Sequence, residues 1–279
     1  MTARRLVFGD DGSAAADEAW RWIDAHRWPG WIIAAVTAID PAVWAVMPPE
    51  RVPLHAWQSP HPRSLTDDDP TIAVEHLVGE GDPRAVLDSC GQAALMVLGP
   101  RGSGFLQQLH LGSTSEWLLQ APCPPVVLVR SARPTHHVLV STDGSVHAGR
   151  AVATLTQLPW IGGAEVTVLS VRDGRTDVER AAADAAAVLA ASGVNARVVL
   201  PEADRHLMGV RPDVRAVIFR AIADSGADLV ALGTAGFGTL RRAFLGSTAS
   251  AVARHAPCSV LVAHELDGDV AGGSARPGR

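Results

Sequence analysis

A chain of 279 residues, 47% hydrophobic and 19% charged, carries enough core material for one large domain or two of ordinary size. A net charge of −5 with no basic block argues against nucleic acid as the main partner. Lysine is absent, which excludes a Walker-A lysine, a Schiff base and a kinase-type strand lysine; no run is long enough to span a membrane and no secretory leader is legible, so a cytoplasmic location and no membrane partner are expected.

In chain order, residues 6–9 read as a buried strand that ends on the turn Asp10-Asp11-Gly12-Ser13. Residues 14–26 carry Ala16, Ala19, Trp20 and Ile23 at helical spacing, and residues 31–39 read as a second buried strand. The stretch 41–70 holds seven prolines, Trp44 and Trp57 with no helical period, so a long loop is expected there. A third strand over 71–78, a helix entered at Pro83 and a fourth strand over 95–98 follow, the last one delivering Gly99.

The order then repeats. Leu6 to Ser13 matches Val138 to Ser145, Met96-Val97-Leu98-Gly99 matches Val230-Ala231-Leu232-Gly233, and Ala121-Pro122-Cys123 matches Ala256-Pro257-Cys258. The pattern G-x2-G-x9-G-[ST] occurs as Gly99, Gly102, Gly112-Ser113-Thr114 and again as Gly233, Gly236, Gly246-Ser247-Thr248. Two copies of one domain are therefore expected over residues 1–133 and 134–266, with a disordered tail over 267–279. The second copy adds an alanine-rich helix over 177–191, a strand over 194–200, a polar insertion over 201–212, and helices over 148–158 and 213–225.

Strands that are apolar throughout and alternate with helices imply parallel strands covered on both faces. The expected fold class is α/β, two tandem open parallel-sheet domains of flavodoxin or Rossmann type. Ligands of such sheets sit beyond the carboxyl ends of the strands, where the strand order reverses. The Asp-Gly-Ser turn and the glycine loop are both carboxyl ends. Gly233 and Gly236 permit close backbone approach, and Gly246-Ser247-Thr248 opens a helix whose first amides have no intrahelical partner, which suits an anion. Arg241 and Arg242 lie between them, against Gln107, Gln108 and His110 in the first copy. Taken singly, each feature also fits an ordinary strand-to-helix connection, a plain N-cap, or an Asx turn at Asp11 and Asp143.

With the Asp-Gly-Ser turn, the glycine pattern and the terminal Ala-Pro-Cys strand in both copies, the chain resembles the universal stress protein family, in its tandem form and its ATP-binding branch. The resemblance implies an adenine nucleotide alpha hydrolase-like fold and ATP as ligand, with Mg²⁺ on its phosphates. It implies that Asp11 and Asp143 contact the adenosine end and that Ala38 and Val171 line the adenine. Leu98-Gly99 and Leu232-Gly233 would border the nucleoside, Gly102 and Gly236 approach the phosphates, and Gly112-Ser113-Thr114 and Gly246-Ser247-Thr248 hold them. It further implies an intrachain pseudo-dimer through the last strands, with two chains associating. The first copy departs at Ala38, where a valine-like residue is usual, and in the Pro-rich loop, where a helix is usual.

The function expected is an ATP-binding stress-response regulator. The alternatives are a slow ATPase or nucleotidyl-transferring enzyme, and an interaction module that binds no nucleotide. No base stands at a fixed place in both copies, so at most slow hydrolysis and no catalytic residue are expected. Cys90, Cys123 and Cys258 lack metal spacing and read as small buried apolar residues, the eleven histidines show no ligand spacing, and the tryptophans read as core and interface packing.

Overall fold

The computed structural model describes residues 3–39, 61–67, 69–90, 93–102, 111–121, 123–174, 177–203, 213–234 and 245–264. The tail from residue 265, most of the Pro-rich stretch, the centres of both glycine loops and much of the polar insertion lie outside them.

The first half runs β1 (Arg4–Gly9), α1 (Ala14–Asp24), β2 (Trp31–Ile39), β3 (Ala73–Glu80), α2 (Pro83–Ser89), β4 (Leu95–Leu98), α3 (Ser113–Leu118) and β5 (Val126–Leu128). The second half runs β6 (His137–Ser141), α4 (Val146–Gln157), β7 (Glu165–Leu169), α5 (Val178–Ala191), β8 (Ala196–Val199), α6 (Val214–Ser225), β9 (Leu229–Gly233), α7 (Ser247–His255) and β10 (Ser259–Ala263). The ten strands form one sheet in the order β3-β2-β1-β4-β5-β10-β9-β6-β7-β8. Every neighbouring pair is parallel except β5 with β10. This is the tandem α/β arrangement expected, with the two halves joined edge to edge.

The central strands β4, β5, β9 and β10 are almost wholly buried because helices cover both faces. One apolar cluster takes Trp20 and Ile23 of α1, Val152 and Leu155 of α4 and Leu189 of α5; the cluster on the other face takes Leu87, Leu118, Ile218, Ile222 and Val252 from α2, α3, α6 and α7. β3 extends two residues beyond the expected strand, through Gly79 and Glu80. Its parallel ladder with β2 continues to Ile39 opposite Glu80, and Val86 packs where a Gly79 side chain would stand.

At the junction Val126, Val127 and Leu128 lie antiparallel to Val262, Leu261 and Val260. Just past each of these strands a side chain crosses to the other half. Arg130 donates to the carbonyls of Ala253, in the last turn of α7, and of Cys258, just before β10, and His264 Nε2–H donates to the Leu119 carbonyl at the end of α3 (3.0 Å). The Ala253 and Leu119 carbonyls are helix-end acceptors with no partner within their own helix. Arg254 pairs with Glu116 across the same junction. Burial pushes the Cys123 thiol up to about 12 and Cys258 to about 11, consistent with unreactive packing groups.

A second contact between halves is aromatic. Trp22 and Trp28 of the first half meet Trp160 of the second edge-on, at 5.8 and 6.2 Å between ring centroids. Between them sits His26, whose Nδ1–H donates to the Trp22 carbonyl (2.6 Å) while Nε2 accepts from the Thr135 amide (3.0 Å). Only the neutral ring does both. Desolvation lowers its pKa from the ordinary 6.5 to about 4. Between those values the unfolded chain binds a proton that the fold refuses. Stability is therefore complete above about pH 6.5 and declines as pH falls towards 4, by roughly 3 kcal/mol from this group. Urea unfolding at pH 7.5 and 4.5 is expected to show that loss, and His26→Phe to flatten it. Leu261→Ala, at the wholly buried junction strand, is expected to lower stability by about 2–5 kcal/mol in the same titration.

Candidate functional site

β6 lies between β7 and β9, so the chain departs in opposite directions on its two sides and a crevice opens beyond its carboxyl end. A cleft of about 750 Å³ occupies that position. It is within the usual range for a small-molecule site.

The segments that follow β6, β7 and β9 build it together with residues of α4, α5, α6 and α7. The turn after β6 contributes Thr142, Asp143, Gly144 and Ser145. Asp143 Oδ1 accepts from the Ser145 amide (2.9 Å) and Ser145 Oγ accepts from Ala148 N at the head of α4 (3.3 Å). The Asp is thus the Asx group of the turn and the Ser the helix cap. Gly144, with φ +80°, supplies the left-handed residue that lets the strand reverse into the helix.

The end of β9 contributes Leu232, Gly233 and Thr234. A Cβ on Gly233 would stand 2.4 Å from the His147 carbonyl carbon and 2.6 Å from the Ala148 nitrogen, so glycine permits α4 to start directly against the strand. Thr234 N–H donates to Ala263 O (2.9 Å), and Gly246 N–H donates to Thr234 O (2.7 Å). The glycine loop therefore leaves and returns at one point, and α7 begins at the mouth of the cleft. Val171 borders it beyond β7, and Val214 and Ile218 of α6 add apolar surface.

Among the described residues, five α-helices start with a side-chain cap, from Ser13, Asp82, Ser145, Asp177 and Asp213. α3 and α7 start on Gly112 and Gly246 with none. The two glycine-loop helices alone thus leave their first amides without a side-chain acceptor, and in the second half Gly246, Ser247 and Thr248 line the cleft.

Of the expected second-half residues, Asp143, Val171, Leu232, Gly233, Gly246, Ser247 and Thr248 come together around this one cleft. Gly236, with Arg241 and Arg242, lies outside the described residues. In the first half Ala38 and Leu98 lie at the ends of β2 and β4, Asp11, Gly99 and Gly102 follow β1 and β4, and Gly112 precedes Ser113 and Thr114 at the start of α3. The Gly112 amide donates to Pro100 O (2.8 Å) as Gly246 does to Thr234.

Two groups escaped the sequence reading. Asp177, Arg180, Ala181 and Asp184 present one face of α5 to the cleft, a stripe at i, i+3, i+4 and i+7 that periodicity alone would have shown. His147, in the first turn of α4, places Nδ1 3.1 Å from Thr234 Oγ1 and ties the helix start to the glycine loop.

Fold and cleft together define a tandem doubly wound α/β protein with a strand-end crevice in its second half. The description "Universal stress protein family" matches residues 2–130 and 134–264, and the chain belongs to that family. It is 29% identical over 292 residues to universal stress protein Rv2005c of Mycobacterium tuberculosis, covering 93% of this chain and 97% of that one. It is 31% identical over 170 residues to Rv2623 of the same organism, spanning 57% of that protein's length and 53% of its own. The crystal structure of a universal stress protein from Archaeoglobus fulgidus shares the fold, with a TM-score of 0.65 and 18% identity over 95% of this chain and 99% of that one. Among the described residues, no helix is long and apolar enough to cross a membrane, and no group of three or more His, Cys, Asp or Glu is placed to hold a metal ion.

Two glycines separate local strain from freedom. Gly233→Ala forces a side chain onto backbone atoms and is expected to cost about 1–3 kcal/mol in urea unfolding. Gly149→Ala, in α4 with nothing within 4 Å of the new methyl, is expected to stabilise by about 0.5–1 kcal/mol.

Proposed function

We propose that the second-half cleft holds an adenine nucleoside triphosphate, as ATP with Mg²⁺ on its phosphates, and that the bound nucleotide sets the state of a stress-response regulatory protein. One observation carries this reading: α7 opens into the cleft with Gly246, Ser247 and Thr248 and no side-chain cap. Unpartnered amides at the positive end of a helix favour an anion, and two adjacent hydroxyls add donors. The glycine pattern that the ATP-binding branch of the family carries supports the same choice.

In this reading the amides and hydroxyls of Ser247 and Thr248 hold the phosphates, with Gly246, its own amide tied to Thr234 O, giving them room to approach. Asp143 faces the sugar, and Val171 with Leu232 flanks the base on apolar surface. Mg²⁺ would supply charge neutralisation between phosphate oxygens. The chain's own part is to bind and orient the ligand; no residue lining the cleft is assigned a proton-transfer role.

Purified protein, denatured and chromatographed on an ion exchanger, is expected to release adenine nucleotide or, stripped of it, to bind Mg-ATP by titration calorimetry. At a ligand concentration 100 times Kd the bound form gains about 2.7 kcal/mol, visible as a higher unfolding midpoint. Gly246→Glu puts a carboxylate into the anion position and is expected to remove both binding and the midpoint shift. No released nucleotide together with no calorimetric binding contradicts the proposal.

A further inference from the structure

The two halves diverge at the corner where a second site would lie. In the second half Thr142, Gly144 and Ser145 line the cleft. At the matching places in the first half, Asp10 and Gly12 are covered by residues 61–63 of the same chain.

Arg63 grips Asp10 with a two-pronged fork, Nε to Oδ2 at 2.6 Å and Nη2 to Oδ1 at 2.8 Å, and its Nη1 reaches Asp17 Oδ1 at 2.7 Å. The Asp10 side chain is completely inaccessible and that of Arg63 is 13% exposed. The His61 ring lies against the turn: a Cβ on Gly12 would stand 2.1 Å from its Nε2. On the other side of the turn, a Cβ on Gly102 would stand 2.4 Å from Asp11 Oδ2, so that carboxylate packs directly onto the first glycine loop.

The covering segment is anchored along its length. The Arg63 amide donates to His76 Nε2 (2.7 Å), Trp20 Nε1–H donates to Ser64 O (3.1 Å), and the Thr66 amide and hydroxyl both donate to Asp24 (2.7 and 2.5 Å). Leu65 and Ile72 pack on the core cluster that in the second half receives α5. The carboxylates that hold the arginine belong to the first half alone. Thr142 stands where Asp10 would be, and Gly149 where Asp17 would be. A triphosphate that displaced Arg63 would meet Asp10 and Asp17, which have no counterpart in the second half, and would leave a buried carboxylate without its partner, which is strongly unfavourable.

We infer that residues 61–67 form a strap that occupies the first-half corner in place of a ligand, so that each chain holds a single nucleotide, in the second half. This rests on the nucleotide reading of the second-half cleft. The arginine fork is charge-assisted and bidentate, the strongest form of such a contact, and its Asp10 bonds push the guanidinium pKa still higher. α3, with six residues against nine in α7, also sums fewer peptide dipoles at its start.

The test is titration of the full chain with Mg-ATP, together with photolabelling by 8-azido-ATP and mapping of the labelled peptides. The expected result is one equivalent per chain, label confined to peptides within residues 134–264, and loss of both in Gly246→Glu. Two equivalents, or label in first-half peptides, overturns the strap while leaving the nucleotide reading standing. No binding by the wild-type chain overturns the nucleotide reading and this inference with it. Should Gly246→Glu fail to fold, the peptide map of the wild-type chain decides alone.

Discussion

Everything in this molecule hangs on the antiparallel pairing of β5 with β10. Each half alone would end its sheet on a strand that the joined sheet buries completely, Val126 to Leu128 in one and Ser259 to Ala263 in the other. Such an edge invites uncontrolled pairing. Joining them buries both and leaves β3 and β8, which are shorter of apolar surface, as the outer edges. The pairing also fixes where the strand-end corners lie. Because β5 and β10 run in opposite directions, the carboxyl ends of the two half-sheets face opposite edges of the sheet. The two corners are far apart in construction and are free to diverge.

They have diverged through a few side chains. The backbone plan is the same at both corners: a turn capped by Ser13 or Ser145, and a returning amide from Gly112 or Gly246 onto the residue after the strand. What differs is charge and cover. The second half sets hydroxyls and glycine beside α4, and the first sets Asp10 and Asp17 beside α1 and fills the space with Arg63. A duplicated fold thus carries one corner left open as a cleft and one filled by an arginine of its own chain.

The repeat made the fold legible, since strand, turn, glycine loop and helix recur at nearly constant spacing and need no long-range information. The second-half corner was legible for the same reason: Asp143, Gly233 and Gly246 are punctuation marks at strand and helix ends. The first-half corner was not. The absence of a helix period after β2 was readable, but the Arg63–Asp10 fork joins residues 53 apart across a proline-rich stretch, and no local pattern announces it. The same limit hid the placing of His26 between Trp22 and Trp160, which depends on how the two halves meet. The Asp177, Arg180 and Asp184 stripe of α5 was readable as a polar face; that this face turns to the cleft is a consequence of packing.

Hydrogen exchange read by mass spectrometry, with and without saturating Mg-ATP, tests the proposed ligand position directly. Slowed exchange is predicted in peptides that cover Ser141 to Ser145 and the start of α7 at Ser247 and Thr248, with the first-half turn at Asp10 to Ser13 unchanged. Unchanged exchange at the start of α7, or protection centred on the first-half turn, would contradict it.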